Sequence, residues 1–298
     1  MKPFLLSSGC LELTLHPALG GSMGRFDWHS GDTVHAIFRS EMAPVSPLEA
    51  GCFPLVPFCN RIREGQFDFR GRTVRLAPNM SGDASPIHGQ AWLGRWHIDR
   101  SGPSGATMSF AYPGGEWPWR YEARQTFALD PGGLTVDLHC TNQSADPMPC
   151  GLGLHPYFPC SAGTTLATRV EHVWTVDEKV LPIERRPATG QYDISGGPIC
   201  GRGLDNGYDG WCGTARIETP GLPFQIGLSS PDARFFQIYS PRAGGILVAE
   251  PVSHANAALN APEGLWDRLG LSVLAPGETM SLRMRIDLTA ASLGNSGQ

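Results

Sequence analysis

Long apolar runs are missing from this chain. No stretch approaches the roughly 18 consecutive apolar residues that a membrane-crossing helix needs, so no membrane partner is expected. At the N-terminus, Met1 to Cys10 carries an apolar piece far shorter than the roughly 7 to 15 residues of a secretory signal. The mature chain is therefore expected to begin at Met1 and to reside in the cytoplasm. An excess of basic residues is missing too. The 23 Lys+Arg are outnumbered by 28 Asp+Glu, a net charge of −5, whereas a nucleic-acid partner would call for a basic stripe. The eight cysteines contain no C-x-x-C pair, which argues against a structural zinc site. A chain of 298 residues does not need disulfide staples, so Cys10, Cys52, Cys59, Cys140, Cys150, Cys160, Cys200 and Cys212 are expected as buried free thiols. There is no P-loop, dinucleotide fingerprint, H-E-x-x-H or calcium loop, and no H-x-H cluster of the cupin kind. Neither a nucleotide cofactor nor a metal is expected.

What is present is apolar material in short pieces. Hydrophobic residues make up 41% and charged residues 17%, enough to fill a core. The 37 glycines and 26 prolines suit many turns between short strands. Alternation with period two runs from end to end, the pattern of half-buried antiparallel strands. Leu134, Val136, Leu138 and Cys140 face one way; Leu282, Met284, Ile286 and Leu288 repeat the pattern near the C-terminus. The turn signal Asp130-Pro131-Gly132-Gly133 joins a strand ending near Phe127 to one starting at Leu134. Arg70-Gly71 links Phe67 and Phe69 to Val74 and Leu76 in the same way. Helix-period segments are scarce, one or two turns each near 255–259 and 262–269. Residues 101–105 and 196–203 read as long loops, and 290–298 as a frayed tail. The expected architecture is all-β, a large antiparallel β-sandwich forming a single domain over 1–298.

One short motif matches a hydrolase pattern. Gly20-Gly21-Ser22-Met23-Gly24 fits G-x-S-x-G, but the nucleophile elbow needs a following helix, and Arg25-Phe26-Asp27-Trp28-His29-Ser30-Gly31 is not one. Two glycines at a strand corner is the better reading. More informative are polar residues in apolar surroundings. Asn60 and Arg61 follow Phe53-Pro54-Leu55-Val56-Pro57-Phe58. His88 precedes Trp92 and Trp96. His155 lies in Gly151-Leu152-Gly153-Leu154-His155-Pro156-Tyr157-Phe158, and Glu250 ends the apolar strand 245–249. Singly, each has an ordinary structural explanation as a hydrogen-bonded core group. Four separately buried ionisable groups are costly, and one shared polar cavity accounts for them together.

These strings resemble the aldose 1-epimerase (galactose mutarotase-like) family. The landmarks occur in order: Gly51-Cys52-Phe53-Pro54-Leu55-Val56-Pro57-Phe58-Cys59-Asn60-Arg61-Ile62, Gly65-Gln66-Phe67, Gly71, His88-Gly89, His155-Pro156-Tyr157-Phe158, Leu204-Asp205-Asn206-Gly207-Tyr208 and Ala249-Glu250-Pro251. The resemblance implies a supersandwich with a sugar site in a cleft on one sheet. It implies Glu250 as general base and His155 as general acid, with Arg61, His88 and Asp205 holding sugar hydroxyls and Asn60 beside them. Asp209 lies close enough in the same loop to compete with Asp205. His254 follows Glu250 and either reaches the cleft or is a solvated loop histidine.

Interconverting the α and β anomers of a free aldohexose requires ring opening, rotation about C1–C2 and reclosure, with no cofactor. A base takes the anomeric hydroxyl proton while an acid protonates the ring oxygen, from different sides of C1. In the resting state Glu250 would be ionised and His155 protonated; a tryptophan would stack on the sugar. The expected partner is a small-molecule sugar, and the chain a monomer or homodimer. The alternatives are a hexose-6-phosphate 1-epimerase, with Arg63 or Arg95 on the phosphate, and a non-catalytic carbohydrate-binding protein.

Overall fold

The computed structural model describes residues 2–290. Two eight-stranded sheets dominate it, and every ladder between named strands is antiparallel. In the first sheet the order is Thr165–Thr168, Thr214–Glu218, Phe224–Ser229, Thr279–Ala290, Gly133–Asn142, Tyr121–Asp130, Gly105–Tyr112 and His97–Ser101. In the second it is Pro182–Pro187, His172–Val176, Leu204–Asp209, Phe235–Ser240, Gly245–Val252, Gly153–Leu154 and Pro54–Leu55, with Tyr157–Cys160 also paired to Gly245–Val252. A four-stranded N-terminal sheet and two hairpin-sized ribbons complete the strands. Helical structure among the described residues is limited to six single turns of 3₁₀ type.

Alternation decides which side each strand buries. Leu134, Val136, Leu138 and Cys140 are fully buried, as are Met284 and Ile286. In the second sheet Leu204, Tyr208, Phe236, Ile238, Leu247 and Ala249 join the same core cluster, so the two sheets face each other across shared apolar side chains. The strand Gly245–Val252 is apolar on both faces because it is covered on both. Val248 and Val252 belong to a second cluster with Phe53, Leu55, Tyr157 and Phe235 on the outer face. That outer face carries the candidate site.

Local expectations fared unevenly. The turn at Pro131-Gly132 closes a hairpin, but its first strand runs past Phe127 to Asp130, which pairs with Gly133. Arg70 and Gly71, at φ 49° and 76°, join Gln66–Phe69 to Arg72–Arg75, the left-handed pair that a two-residue hairpin favours. The expected long loop at 101–105 is a tight reversal, with Gly102 N–H donating to the Gly105 carbonyl at 2.8 Å. Within 255–269 the 3₁₀ turns are Ala258–Asn260 and Glu263–Leu265, the second followed by a further turn in which Leu269 N–H donates to the Leu265 carbonyl at 3.1 Å. Ser22 is fully buried, opens a strand, and donates to the Leu19 carbonyl; it offers no nucleophile. Five cysteines are buried and all eight are free, yet Cys10 and Cys212 are exposed and Cys200 is half-buried. They occupy turns and the approach to a strand; Cys200 still packs against the core from there, whereas Cys10 and Cys212 remain exposed. Of the expected frayed tail, 291–298 lie outside the described residues.

The two faces of one strand should respond differently to truncation. Leu138→Ala, at a fully buried position, should cost about 2–5 kcal/mol. His139→Ala, on the opposite face, should stay within about 0.5 kcal/mol; urea unfolding measures both.

Candidate active site

Register assembles the site. Gly207 pairs with Gln237, and Gln237 with Glu250. On the other side of Glu250, Gly153 pairs with Val252 and Tyr157 with Val248. Continuing that register across the break at Pro156 sets His155 opposite Glu250. The pairing of Val173 with Tyr208 likewise brings Trp174 level with Gly207. One transverse row of the sheet thus reads Trp174, Gly207, Gln237, Glu250, His155, all on the outer face, with strands roughly 4.8 Å apart. Glu250 lies two residues inside its strand rather than at the end.

His155 Nε2 stands 3.4 Å from Glu250 Oε1, and the two residues are 8% and 3% exposed. The pair is side by side, so a ligand that meets both must do so from the same side. The atoms not in that contact, His155 Nδ1 and Glu250 Oε2, are buried without a hydrogen-bond partner, as is Trp174 Nε1. Unpaired polar atoms in such a place cost stability, and a ligand rich in hydroxyls would satisfy them. Phe53 stacks on the His155 ring at 4.4 Å and Tyr157 lies against it at 4.7 Å, fixing its orientation.

The remaining candidates arrive on two loops. Asn60 and His88 both adopt left-handed backbone, φ 58° and 62°, conformations that non-glycine residues hold only under tertiary constraint. Asn60 N–H donates to His88 Nδ1 at 3.1 Å, and His88 N–H returns a bond to the Asn60 carbonyl at 3.0 Å. With Nδ1 accepting, Nε2 carries the proton of the neutral ring. Gly89, at φ 73°, approaches Val56 so closely that a Cβ would lie 2.0 Å from its carbonyl oxygen; only glycine lets the His88 loop dock here. Arg61 donates through Nε to Asp83 at 2.7 Å and through Nη1 to Asn60 Oδ1 at 3.1 Å.

Asp205 and Asp209 share the outer face of Leu204–Asp209, a strand rather than the loop expected, and lie one row to either side of Gly207. Asp205 accepts from Gln237 Nε2 at 2.9 Å and senses Arg61. Asp209 is held by Arg185 at 2.7 and 2.9 Å and by His172 at 3.2 Å. The trio of metal-capable side chains found among the described residues, Glu171, His172 and Asp209, is thus bridged by a guanidinium. His254 is neither in the cleft nor solvated. It is 3% exposed, accepts from Cys59 N–H at 2.9 Å and bonds the Ala255 carbonyl at 2.8 Å, pinning the loop that carries Asn60.

Arg63 donates to the Pro182 carbonyl and shares its cleft with Lys179 and with Glu64, Asp177 and Glu178, so acidic groups outnumber the cations around it. Trp92 and Trp96 are spent in packing, their indole N–H groups on the Ile87 and Ala91 carbonyls. Trp174, Gln237 and Asp83 were not singled out from sequence. Trp174 and Gln237 follow from strand pairing, which a single sequence does not display; Asp83 looks like any polar loop residue.

Burial dominates the protonation of the site. It pushes the Glu250 carboxyl well above its usual 4.5, helped by Asp205 and opposed by Arg61. It lowers His155 to about 3, with Arg39 adding to the effect, and lowers His88 well below 6.5, with His155 and Arg61 adding. Both shifts favour the neutral forms, against the resting ion pair expected from sequence.

The amino-acid sequence and the fold together identify the class. The signature of the aldose 1-epimerase family matches residues 17–287, and the chain belongs to that family, with the large antiparallel sheets of the galactose mutarotase-like fold. It is 32% identical over 297 residues to the uncharacterized Escherichia coli (strain K12) protein YphB, covering 96% of this chain and 98% of that one. It is similar to the crystal structure of a candidate aldose 1-epimerase from Escherichia coli K12, with TM-score 0.89, 31% identity and coverage of 97% and 99% of the two chains. A galactose mutarotase-like protein from Clostridium acetobutylicum shares the fold at TM-score 0.85 and 16% identity, over 96% and 95% of the chains.

The raised Glu250 value has a sign. The folded state holds that proton more tightly than the unfolded chain, so the associated stability is full below about 4.5 and is lost as pH rises through the folded value. Glu250→Gln should therefore raise the melting temperature relative to wild type, and by more at pH 9 than at pH 5. Thermal scans at the two pH values measure it. The buried neutral histidines act oppositely: the stability linked to His155 and His254, lowered to about 3 and about 4, is full above 6.5 and declines as pH falls toward those values.

Proposed function

We propose that the chain works as one aldose 1-epimerase domain that interconverts the α and β anomers of a free aldohexose by acid–base ring opening and reclosure. The observation that carries this reading is the contact between His155 and Glu250, with one unpaired buried atom on each, the His88 ring 5.4 Å from that of His155, and Arg61 and Asp205 near enough to act on Glu250. The sugar class comes from the family; the residues supply a plausible chemistry for it.

In this reading Glu250 takes the anomeric proton and His155 delivers one to the ring oxygen. Burial favours the shared proton on the carboxyl at rest. Passing it to His155, 3.4 Å away, produces the carboxylate and imidazolium that the step uses, and Arg61 favours the carboxylate. Burial opposes this charge separation, so the Arg61 charge and the hydroxyls of the bound sugar must offset its cost. Rotation about C1–C2 then presents the other carbonyl face, and the same two groups return the protons in reverse roles. His88 Nε2–H donates to a sugar hydroxyl, Asp205 accepts from another, and Arg61 with Asn60 grips a third. Trp174, half-buried at the end of the row, offers an aromatic face to the sugar ring. The reaction needs no cofactor, and a cytoplasmic location fits a metabolic role on a small sugar.

Polarimetric mutarotation of freshly dissolved glucose or galactose tests the assignment. Glu250→Gln and His155→Asn should each fold and lose at least about 100-fold in kcat, the scale of a lost acid or base. Near-wild-type rates in either would remove that residue from the mechanism, and a spontaneous rate with the wild type would leave a non-catalytic sugar binder. For Arg61→Ala, KM should rise more than kcat falls; an unchanged KM would refute the grip.

A further inference from the structure

Next to the Glu250 row lies a cleft of about 630 Å³ that shares only Trp174 with the proposed reaction. Its floor belongs to the next row of the same sheet face, where Asp209 pairs with Phe235 and Phe235 with Val252. That row is two residues, roughly 6.6 Å, along the strands from Gly207, Gln237 and Glu250. Trp174 and Phe235 form the ridge between the two places. Both line the cleft, and both line a slit of about 10 Å³ whose far wall includes Asn60 and Gln237. The slit admits no more than a water, so a ligand reaching from one place to the other crosses the edge of the Trp174 ring.

Charge distinguishes this cleft from the sugar site. Arg185, Arg234 and Arg268 all line it. Arg185 is committed to Asp209. Arg234 and Arg268 form no ion pair or side-chain hydrogen bond among the described residues. Glu171 is the other carboxylate in the wall, and it is exposed, as are Arg234 and Arg268. Two uncommitted guanidiniums above a floor of indole and phenyl rings match one chemistry well: a sugar ring whose apolar face rests on the aromatics and whose acid group takes the forked donors.

Resting on the aldose reading, we propose that this cleft is a second subsite, which binds the acidic unit of a reducing disaccharide while the reducing unit lies over Glu250. The shared chemistry is an anion on a sugar. The test compares mutarotation of glucose, a neutral glucose disaccharide, the same disaccharide ending in glucuronic acid, and glucose 6-phosphate, with wild type and the Arg234→Gln/Arg268→Gln double variant. Wild type should show a kcat/KM for the acidic disaccharide at least tenfold above the neutral one. The double variant should lose that advantage with glucose rates unchanged. Equal rates for the two disaccharides in wild type, or an advantage that survives the double substitution, would overturn the proposal. A matching gain for glucose 6-phosphate, lost in the double variant, would place the anion on the reacting ring and overturn the second-unit assignment. If wild type leaves glucose at its spontaneous rate, the aldose reading fails alone. Calorimetric binding of the acidic disaccharide then decides the subsite: at least tenfold weaker binding to the double variant supports it, and equal binding overturns it.

Discussion

Everything in the candidate site depends on the strand register around Gly245–Val252. The ladders on its two sides bring Gln237 and His155 level with Glu250, so an acid and an imidazole that are 95 positions apart in the chain meet at 3.4 Å. A slip of one residue would turn Glu250 into the core between the sheets and point Ala249 at the sugar face. Such a slip is blocked from both sides, because alternate residues of this strand fill two different apolar clusters. The same double burial that fixes the register also shields Glu250 and His155 from water, which is why each is driven toward its neutral form.

The covering loops supply what a sheet cannot. A strand face presents side chains in rows, all pointing outward; gripping a sugar from above requires groups that point back. Asn60 and His88 do so from left-handed backbone, and they stabilise each other through a reciprocal pair of bonds. Gly89 permits the approach to Val56, and His254 pins the Cys59 amide from beneath. Strain is held at these positions by packing around them, the pattern expected where geometry serves binding rather than stability. Glu250 Oε2 and His155 Nδ1 are left unpaired at the centre, a cost that the surrounding apolar clusters offset.

In the proposed reading the Asp83–Arg61 pair and the Gln237–Asp205 bond keep grip and chemistry apart. Arg61 is buried enough to act on Glu250 electrostatically, yet its guanidinium is anchored at a carboxylate outside the central row. Asp205 is held by Gln237, which stands between it and Glu250. Two carboxyls on one face would otherwise repel and raise each other further, and the amide between them moderates that contact. Asp209, equally well placed on the strand face, is neutralised by Arg185 and belongs to the neighbouring cleft instead.

Sequence by itself determined the strands and the inventory. Period-two alternation at 134–140 and 282–288 fixed which side chains enter the core, since side-chain direction in a strand is a local property. Polar residues stranded in apolar runs marked Asn60, Arg61, His155 and Glu250, because burial without a partner is costly wherever the chain goes. Proximity was beyond it. That His155 faces Glu250, that Asp205 rather than Asp209 is joined to their row, that Trp174 closes it while Trp92 and Trp96 serve the packing, and that His254 is a buried pin are all consequences of long-range strand pairing. Protonation was beyond it as well, since desolvation depends on what covers a group, and only the closed tertiary structure puts Phe53 and Tyr157 over that imidazole.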